Sequence, residues 1–175
     1  MPRFLVHNTA QTFFMTSKHY PILILTALLL LSGLFTACSD GFTFRPPDFS
    51  LAPEPFDISN ITPVTTPEGL VIYVVQEGQA FLGPVTERDR VLVYYTLRLE
   101  DGTIEDSSYR ERNPDPIQFS LSDVIRGFRE GMVGMTEGEK RVIIVPPSLG
   151  YANQPGHRLG NQTLRYDIEL VAILD

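Results

Sequence analysis

Apolar residues recur at every second position along most of two separated segments of the sequence, 90–100 and 164–174. The side chains expected on the inner face of the first segment are Val91, Val93, Tyr95, Leu97 and Leu99. Those expected on the inner face of the second are Leu164, Tyr166, Ile168, Leu170 and Leu174, with Arg165, Asp167 and Glu169 outward. A period of two residues is typical of antiparallel strands that have one face in water. The two segments therefore predict an antiparallel sheet whose second face is polar.

Two further runs rich in β-branched residues extend this sheet. They cover residues 70–77 and 140–145, and the second run is ended by the pair Pro146-Pro147. Asp101-Gly102, directly after the first alternating segment, is a pair typical of hairpins. We therefore expect a compact, mostly β domain over residues 68–175.

One helix is expected between the strands, over residues 123–132, with Ser122 as a candidate N-cap. Its apolar stripe would comprise Val124, Ile125, Phe128 and Met132. Gly127 lies inside this helix and lowers its intrinsic stability by about 1 kcal/mol relative to Ala. Close approach of the helix to the strands is the simplest reason for a glycine there. The expected fold class is therefore α+β.

A series of short blocks, spread in order over residues 70–174, resembles the FKBP-type peptidyl-prolyl isomerases. The blocks are Val93-Tyr-Tyr-Thr, Glu100-Asp-Gly, Asp106-Ser-Ser, Val124-Ile-Arg-Gly-Phe-Arg-Glu-Gly-Met, Gly138-Glu-Lys, Pro146-Pro-Ser-Leu-Gly-Tyr and Thr163-Leu-Arg-Tyr-Asp-Ile-Glu-Leu. The resemblance implies a curved, mainly antiparallel sheet wrapped around one short helix. It also implies a proline-binding pocket between the sheet and the helix.

The resemblance implies a set of pocket residues. The catalytic groups would be Tyr95, Asp106, Ile125, Phe128, Tyr151 and Tyr166. The further substrate-binding residues would be Val124, Ile117 and Leu159. Phe128 would form the floor, where most members of the family have Trp, and Tyr166 would close one side in place of the usual Phe. The backbone N–H of Ile125 and the hydroxyl of Tyr151 would hold the peptide, and Asp106 would orient a tyrosine and pair with Arg110 or Arg112.

The sequence departs from the family pattern at three places. Glu105 and Ile117 stand where the family usually has Phe, and the loop after Tyr151 lacks the usual Ile-Pro pair. Leu159 is the best candidate for the apolar residue of that loop, although Arg158 aligns equally well with other gaps. An ionised Glu in an apolar pocket costs several kcal/mol unless it is paired. We therefore expect Glu105 to face solvent with Ile104 turned inward, or to bind a basic group beside the substrate.

The domain lacks the residue sets of covalent, metal and phosphate chemistry. There is no Ser/His/Asp set, no metal-spaced Cys/His cluster and no glycine-rich phosphate loop, and His157 is its single histidine. Isomerisation of an X-Pro bond needs none of these and no cofactor, because it only twists the amide. The sequence thus predicts a peptidyl-prolyl isomerase acting on exported proteins and open to macrolide inhibitors, as the resemblance implies. The alternative is a non-catalytic or weakly catalytic chaperone that binds proline-containing chains.

The amino-terminal segment predicts export and lipidation. Ile22–Leu31 is an apolar run preceded by Lys18 and His19, and Phe35-Thr36-Ala37-Cys38 resembles a bacterial lipobox. We expect residues 1–37 to be a lipoprotein signal peptide, with Met15 as an alternative start, and Cys38 to carry the lipid. A single transmembrane anchor and a chance cysteine are the alternatives. The expected location is the cell envelope, at the outer membrane facing the periplasm in a Gram-negative cell.

Residues 38–67 would tether the domain to the membrane. The segment contains Pro46, Pro47, Pro53, Pro55 and Pro63, and proline-rich chain is stiff and extended. From Cys38 onward the chain has 12 basic and 21 acidic residues, a net charge of −9. This charge argues against nucleic acid as a partner, because phosphate binding needs clustered Lys and Arg. The expected partners are proline-containing polypeptides and, through the lipid, a membrane.

Overall fold

The computed structural model of the protein describes residues 46–110 and 114–174. In these ranges the strands are β1 (Val64–Thr65), β2 (Val71–Gln76), β3 (Arg90–Arg98), β4 (Ile104–Ser107), β5 (Ile117–Ser120), β6 (Lys140–Val145) and β7 (Leu164–Leu174). The α-helix, α1, spans Arg126–Met132, and short 3₁₀ turns occur at Ala80–Leu82 and Pro147–Leu149. The strands expected from the alternating and β-branched segments are therefore present. No helix in the described ranges is long and apolar enough to cross a membrane.

All the strand pairs of the sheet are antiparallel. The strand order is β1-β2-β6-β7-β3-β4, and β5 also pairs with β3. β3 and β7 form the centre of the sheet, in a register that places Tyr95 opposite Ile168 and Leu97 opposite Tyr166. An antiparallel sheet with one helix in the described ranges confirms the predicted α+β class.

Helix α1 packs tightly against the inner face of the sheet. Phe128 is 3% exposed and Met132 is fully buried. A Cβ atom on Gly127 would lie 2.3 Å from Cγ1 of Val145, and one on Gly131 would lie 2.5 Å from Cδ1 of Ile143. The close approach expected from Gly127 is therefore confirmed.

The helix begins three residues later than expected. Ile125 has φ −59° and ψ 150°, an extended conformation, so it precedes the helix instead of belonging to it. The hydroxyl of Ser122 donates to Oδ1 of Asp123 at 3.0 Å and caps no helix N–H group. The prediction of Ser122 as N-cap is thus wrong, because residues 122–125 precede the helix in a turn and a bend.

A buried ion pair holds the other end of the helix. The guanidinium of Arg141 donates to the carbonyl oxygen of Gly131 at 2.7 Å and to Oε1 of Glu139 at 2.6 Å. The side chains of Arg141 and Glu139 are 9% and 3% exposed. A cation on the last carbonyl groups of a helix satisfies acceptors that have no intrahelical partner. This contact fixes α1 to β6. It therefore also fixes the position of the helix relative to the inner face of the sheet.

A β-bulge near the end of β7 changes which residues face the core. Val93 pairs with Leu170 but Leu92 pairs with Ala172, so Val171 is the extra residue, and it is 38% exposed. One extra residue inverts the alternation beyond it. Ile173 therefore packs against the core, where the sequence predicted Leu174.

The outer face of the sheet is covered by part of the predicted tether. Asp167 accepts hydrogen bonds from Arg98 at 3.0 Å and from Arg165 at 2.9 Å. The N–H of Phe56 donates to the same carboxylate at 2.9 Å, and Arg165 donates to the carbonyl oxygen of Phe56 at 2.7 Å. The carbonyl oxygen of Pro53 accepts a hydrogen bond from Arg98. These contacts form a clamp, the polar cluster of Arg98, Arg165 and Asp167 with Pro53 and Phe56.

The clamp changes one expectation. The prediction that Asp167 faces solvent is wrong, since it is 5% exposed. The compact unit begins at Pro46 and includes β1; the division into a tether up to residue 67 and a domain from residue 68 stays a prediction. The predicted signal peptide and Cys38 lie outside the described residues.

Candidate active site

A cleft of about 460 Å³ opens between α1, β3 and β5. Its apolar and aromatic lining consists of Tyr95, Leu97, Phe119, Val124, Ile125, Phe128, Tyr151 and Tyr166. Its polar lining consists of Asp106, Gln118, Ser120, Asp123 and Gln154. A concave, mostly apolar site with a few polar groups is the usual form of a ligand pocket.

Four aromatic rings form a continuous array in the cleft. Tyr95 meets Phe119 at a centroid distance of 5.4 Å, Phe119 meets Phe128 at 5.5 Å, and Phe128 meets Tyr166 at 5.0 Å. All three contacts are edge to face, with interplanar angles of 62–70°. Such pairs contribute about 0.5–1.5 kcal/mol each beyond their buried area. The array therefore gives the cleft a rigid aromatic surface with Phe128 at its centre.

Tyr95 is held by a carboxylate and an arginine. Its hydroxyl donates to Oδ2 of Asp106 at 2.5 Å, and Arg110 lies 3.2 Å from Oδ1 of the same carboxylate. Burial raises the pKa of the Tyr95 phenol, and the hydrogen bond to Asp106 acts in the same direction. Tyr95 therefore remains a protonated donor at physiological pH. Of the two arginines suggested for Asp106, Arg110 makes the contact, and Arg112 lies outside the described residues.

The segment after Tyr151 folds over one side of the cleft. The Tyr151 ring stacks on His157 with centroids 4.0 Å apart and planes at 8°, and Nδ1 of His157 accepts a hydrogen bond from the N–H of Leu159 at 3.2 Å. Leu159 is 5% exposed within the main core cluster. Burial raises the pKa of the Tyr151 phenol. His157 thus supports the ring whose hydroxyl the resemblance assigns to substrate binding.

Glu105, next to the cleft residue Asp106, forms an ion pair with Arg158. The Glu105 side chain is 13% exposed and the Arg158 side chain 66%, so the carboxylate is largely buried while its partner reaches solvent. The expectation that Glu105 faces solvent is therefore wrong. Arg158 is thus a basic partner for Glu105 within the protein, where a basic group beside the substrate was the expected alternative, and the pair links β4 to the loop that carries His157.

The structure brings together seven of the residues selected from the sequence. The cleft is lined by Tyr95, Asp106, Val124, Ile125, Phe128, Tyr151 and Tyr166. Ile117 and Leu159 are not among its lining residues and pack in or against the core. Phe119 was not predicted from the sequence; it lies two residues beyond Ile117 on the same face of β5 and provides the aromatic ring expected at Ile117.

Comparison with known proteins identifies the family. The family model described as FKBP-type peptidyl-prolyl cis-trans isomerase matches residues 83–171. "FK506-binding protein 2" of Dictyostelium discoideum is 40% identical over 49% of this chain and 65% of its own length, and the mouse isomerase FKBP2 is 38% identical over 51% and 67%.

A solved structure agrees with these matches. FkpA from Escherichia coli has a TM-score of 0.57 and 33% identity, covering 66% of this chain and 53% of the other. The chain thus spans about two thirds of the length of the curated relatives and about half of this structure. The matched region holds every strand of the sheet except β1, β2 and the last residues of β7. On this evidence of sequence, fold and cleft, the chain belongs to the FKBP-type peptidyl-prolyl cis-trans isomerases.

Proposed function

We propose that the protein catalyses cis–trans isomerisation of X-Pro bonds in exported polypeptides. The observation that carries the proposal is the aromatic array, which lines an open cleft between helix and sheet in a member of an isomerase family. A proline ring is apolar and compact, and Tyr95, Phe119, Phe128 and Tyr166 offer it ring faces and edges. Uncatalysed isomerisation takes tens of seconds or longer, so such an activity accelerates a slow step of folding.

The rate effect follows from what the cleft does to an amide. The planar amide owes its barrier of about 18–20 kcal/mol to a charge-separated resonance form. An apolar cleft removes water from the carbonyl, disfavours that form and so prefers the twisted state. The backbone N–H of Ile125 and the hydroxyl of Tyr151 hold the flanking peptide, while Asp106 keeps Tyr95 in place. No bond is broken, so the proposal needs no nucleophile and no cofactor.

A protease-coupled assay on a short Xaa-Pro peptide tests the proposal. Phe128→Leu keeps an apolar residue but breaks two edge-to-face contacts, and we expect it to lower kcat/KM about tenfold, the effect of ~1.4 kcal/mol. Val171→Ala, at the exposed bulge of β7, is the matched control and retains wild-type turnover. Wild-type protein that binds the peptide without turnover would support the alternative, a proline-binding chaperone. A macrolide of the FK506 class is expected to compete with the peptide for the cleft.

We also propose that the protein works from a membrane surface through a lipid on Cys38. The proposal is supported by the apolar run before Phe35-Thr36-Ala37-Cys38 and by the residues after it, which lead without a second apolar run to the folded unit. Mass spectrometry of the mature amino terminus tests it. A diacylglycerol on Cys38 would confirm processing and anchoring, whereas an uncut bond between residues 37 and 38 would indicate a transmembrane anchor instead.

A further inference from the structure

The cleft contains three phenol hydroxyls, and only one of them has a protein partner among the described residues. Tyr95 donates to Asp106 at 2.5 Å. Tyr151 and Tyr166 also line the cleft, yet in residues 46–110 and 114–174 neither hydroxyl forms a hydrogen bond. Tyr151 already has a role by resemblance to the family. The hydroxyl of Tyr166 has no such role, because the family usually has Phe at this position and the resemblance assigns to Tyr166 only the closing of one side of the pocket.

Tyr166 is fixed in a position that turns its ring toward the cleft. It is the third residue of β7, paired with Leu97 of β3 on one side and Ile143 of β6 on the other, and its ring meets Phe128 edge to face at 5.0 Å. The residue is only 5% exposed. Burial raises the pKa of its phenol, and Tyr151, Tyr95 and Asp106 act in the same direction, as expected when these polar groups lie near one another.

A phenylalanine at this position would pack equally well. The additional hydroxyl has no protein partner in the described residues, yet it is not among their fully buried unsatisfied atoms, so it is open to the cleft. A molecule that fills the cleft removes water from this hydroxyl and has to supply an acceptor, since a donor buried without a partner destabilises the complex. The cleft of the free protein therefore has an unused donor beside the ring that would carry the proline.

The chemistry of the amide decides which acceptor this donor can usefully take. A hydrogen bond to the carbonyl of the twisting bond would stabilise the charge-separated planar form and slow the reaction. A hydrogen bond to a neighbouring carbonyl of the same chain strengthens binding without that penalty. The second arrangement is compatible with catalysis.

We propose that Tyr166 is a substrate-binding residue whose hydroxyl donates a hydrogen bond to a backbone carbonyl next to, but not within, the isomerising X-Pro bond. This inference rests on the proposed isomerase function and adds to it a specificity element. The favoured ligand is a peptide with an accessible carbonyl acceptor beside the proline, in preference to an isolated apolar ring.

The test is Tyr166→Phe in the full chain, with Tyr94→Phe as the matched control. Tyr94 lies on the opposite face of β3 and stacks on Tyr109 at 5.4 Å, outside the cleft. The probe is a tetrapeptide, Ala-Leu-Pro-Phe, and exchange NMR measures both its dissociation constant and the isomerisation rate of the bound peptide. For Tyr166→Phe we expect the dissociation constant to rise about 2- to 10-fold, the range of one hydrogen bond. The bound-state rate and the control are unchanged, and the melting temperature of Tyr166→Phe is equal or higher.

The outcomes separate this inference from the function on which it rests. A wild-type protein that binds the peptide without isomerising it would overturn the isomerase function. The dissociation constants of wild type and Tyr166→Phe would still test whether Tyr166 binds the peptide. If wild type is active and Tyr166→Phe binds the peptide as tightly, the assignment of Tyr166 fails alone. A faster bound-state rate in Tyr166→Phe would place the hydroxyl on the isomerising carbonyl and also overturn it. A lower melting temperature with unchanged binding would make the hydroxyl structural.

Discussion

The close approach of helix α1 to the sheet predicts that Gly127→Ala destabilises the protein. Alanine is the better helix former by about 1 kcal/mol, so propensity alone predicts a more stable protein. In the folded state, however, the new Cβ would lie 2.3 Å from Cγ1 and 3.1 Å from Cγ2 of Val145. Overpacking of this kind costs about 1–3 kcal/mol. Because the neighbours are two methyl groups on a buried strand, we expect a cost at the upper end of this range and, after the gain in propensity, a net loss of about 2 kcal/mol.

A double-mutant cycle isolates the clash. Val145→Ala alone removes two buried methyl groups and costs about 2 kcal/mol. In Gly127→Ala/Val145→Ala the new methyl group occupies space that the valine has left, so the double variant is more stable than the sum of the single effects by about 1–2 kcal/mol. Urea denaturation followed by far-UV circular dichroism measures each free energy of unfolding; the chain contains no tryptophan for a fluorescence signal.

Ile143 provides the matched control for this cycle. A Cβ at Gly131 would meet Ile143, whereas one at Gly127 meets Val145 and Leu149. Gly127→Ala combined with Ile143→Val is therefore expected to be additive within about 0.5 kcal/mol. The reasoning fails if Gly127→Ala raises stability, or if the Val145 pair is additive as well.

Two further predictions concern buried polar groups. Asp167→Asn removes the charge shared by Arg98 and Arg165 and should lower the free energy of unfolding, measured by urea denaturation, by about 3–5 kcal/mol, with faster hydrogen exchange at the Phe56 N–H. The control is Glu169→Gln, from the surface pair with Lys140, which should cost less than about 1 kcal/mol. Equal losses in the two variants would contradict the stabilising role of the clamp. Alkaline pH should also destabilise the protein: the folded state raises the pKa of Tyr95 and Tyr166, so above pH ~10 unfolding releases protons and stability falls by about 1.4 kcal/mol per pH unit for each such tyrosine. Tyr166→Phe should make this alkaline slope shallower, and an unchanged slope would show that Tyr166 does not keep its proton.

Local patterns in the sequence predicted most of the sheet. The alternation in residues 90–98 and 164–170 depends on each strand alone, so it was visible without the fold. It failed beyond Val171, because a bulge is defined by pairing with β3 and leaves no mark on the alternation. The helix start was misplaced for a similar reason: Val124 and Ile125 fit a helical stripe, although they lie before the first helical residue, Arg126.

The candidate site was predictable where the family blocks contain its residues, and less so elsewhere. Tyr95, Asp106, Phe128 and Tyr166 came from these blocks and all line the cleft. Phe119 was missed because Ile117 lies on the same face of β5, and only the position of the cleft separates them. The partner of Glu105 lies 53 residues later, in a loop. The polar residues of β7 were assigned to solvent because their cover, Phe56, is 111 residues away.

The clamp determines where tension on the chain enters the domain. Three hydrogen bonds join Pro53 and Phe56 to Arg98, Asp167 and Arg165, on the two central strands of the sheet. Any pull from the amino-terminal side reaches these bonds before it reaches β1, which is only two residues long. The load is therefore shared among three parallel bonds at the most strongly paired part of the sheet, and the weak edge strand is shielded from peeling. A pulling force on the amino-terminal segment is therefore resisted first by the centre of the sheet.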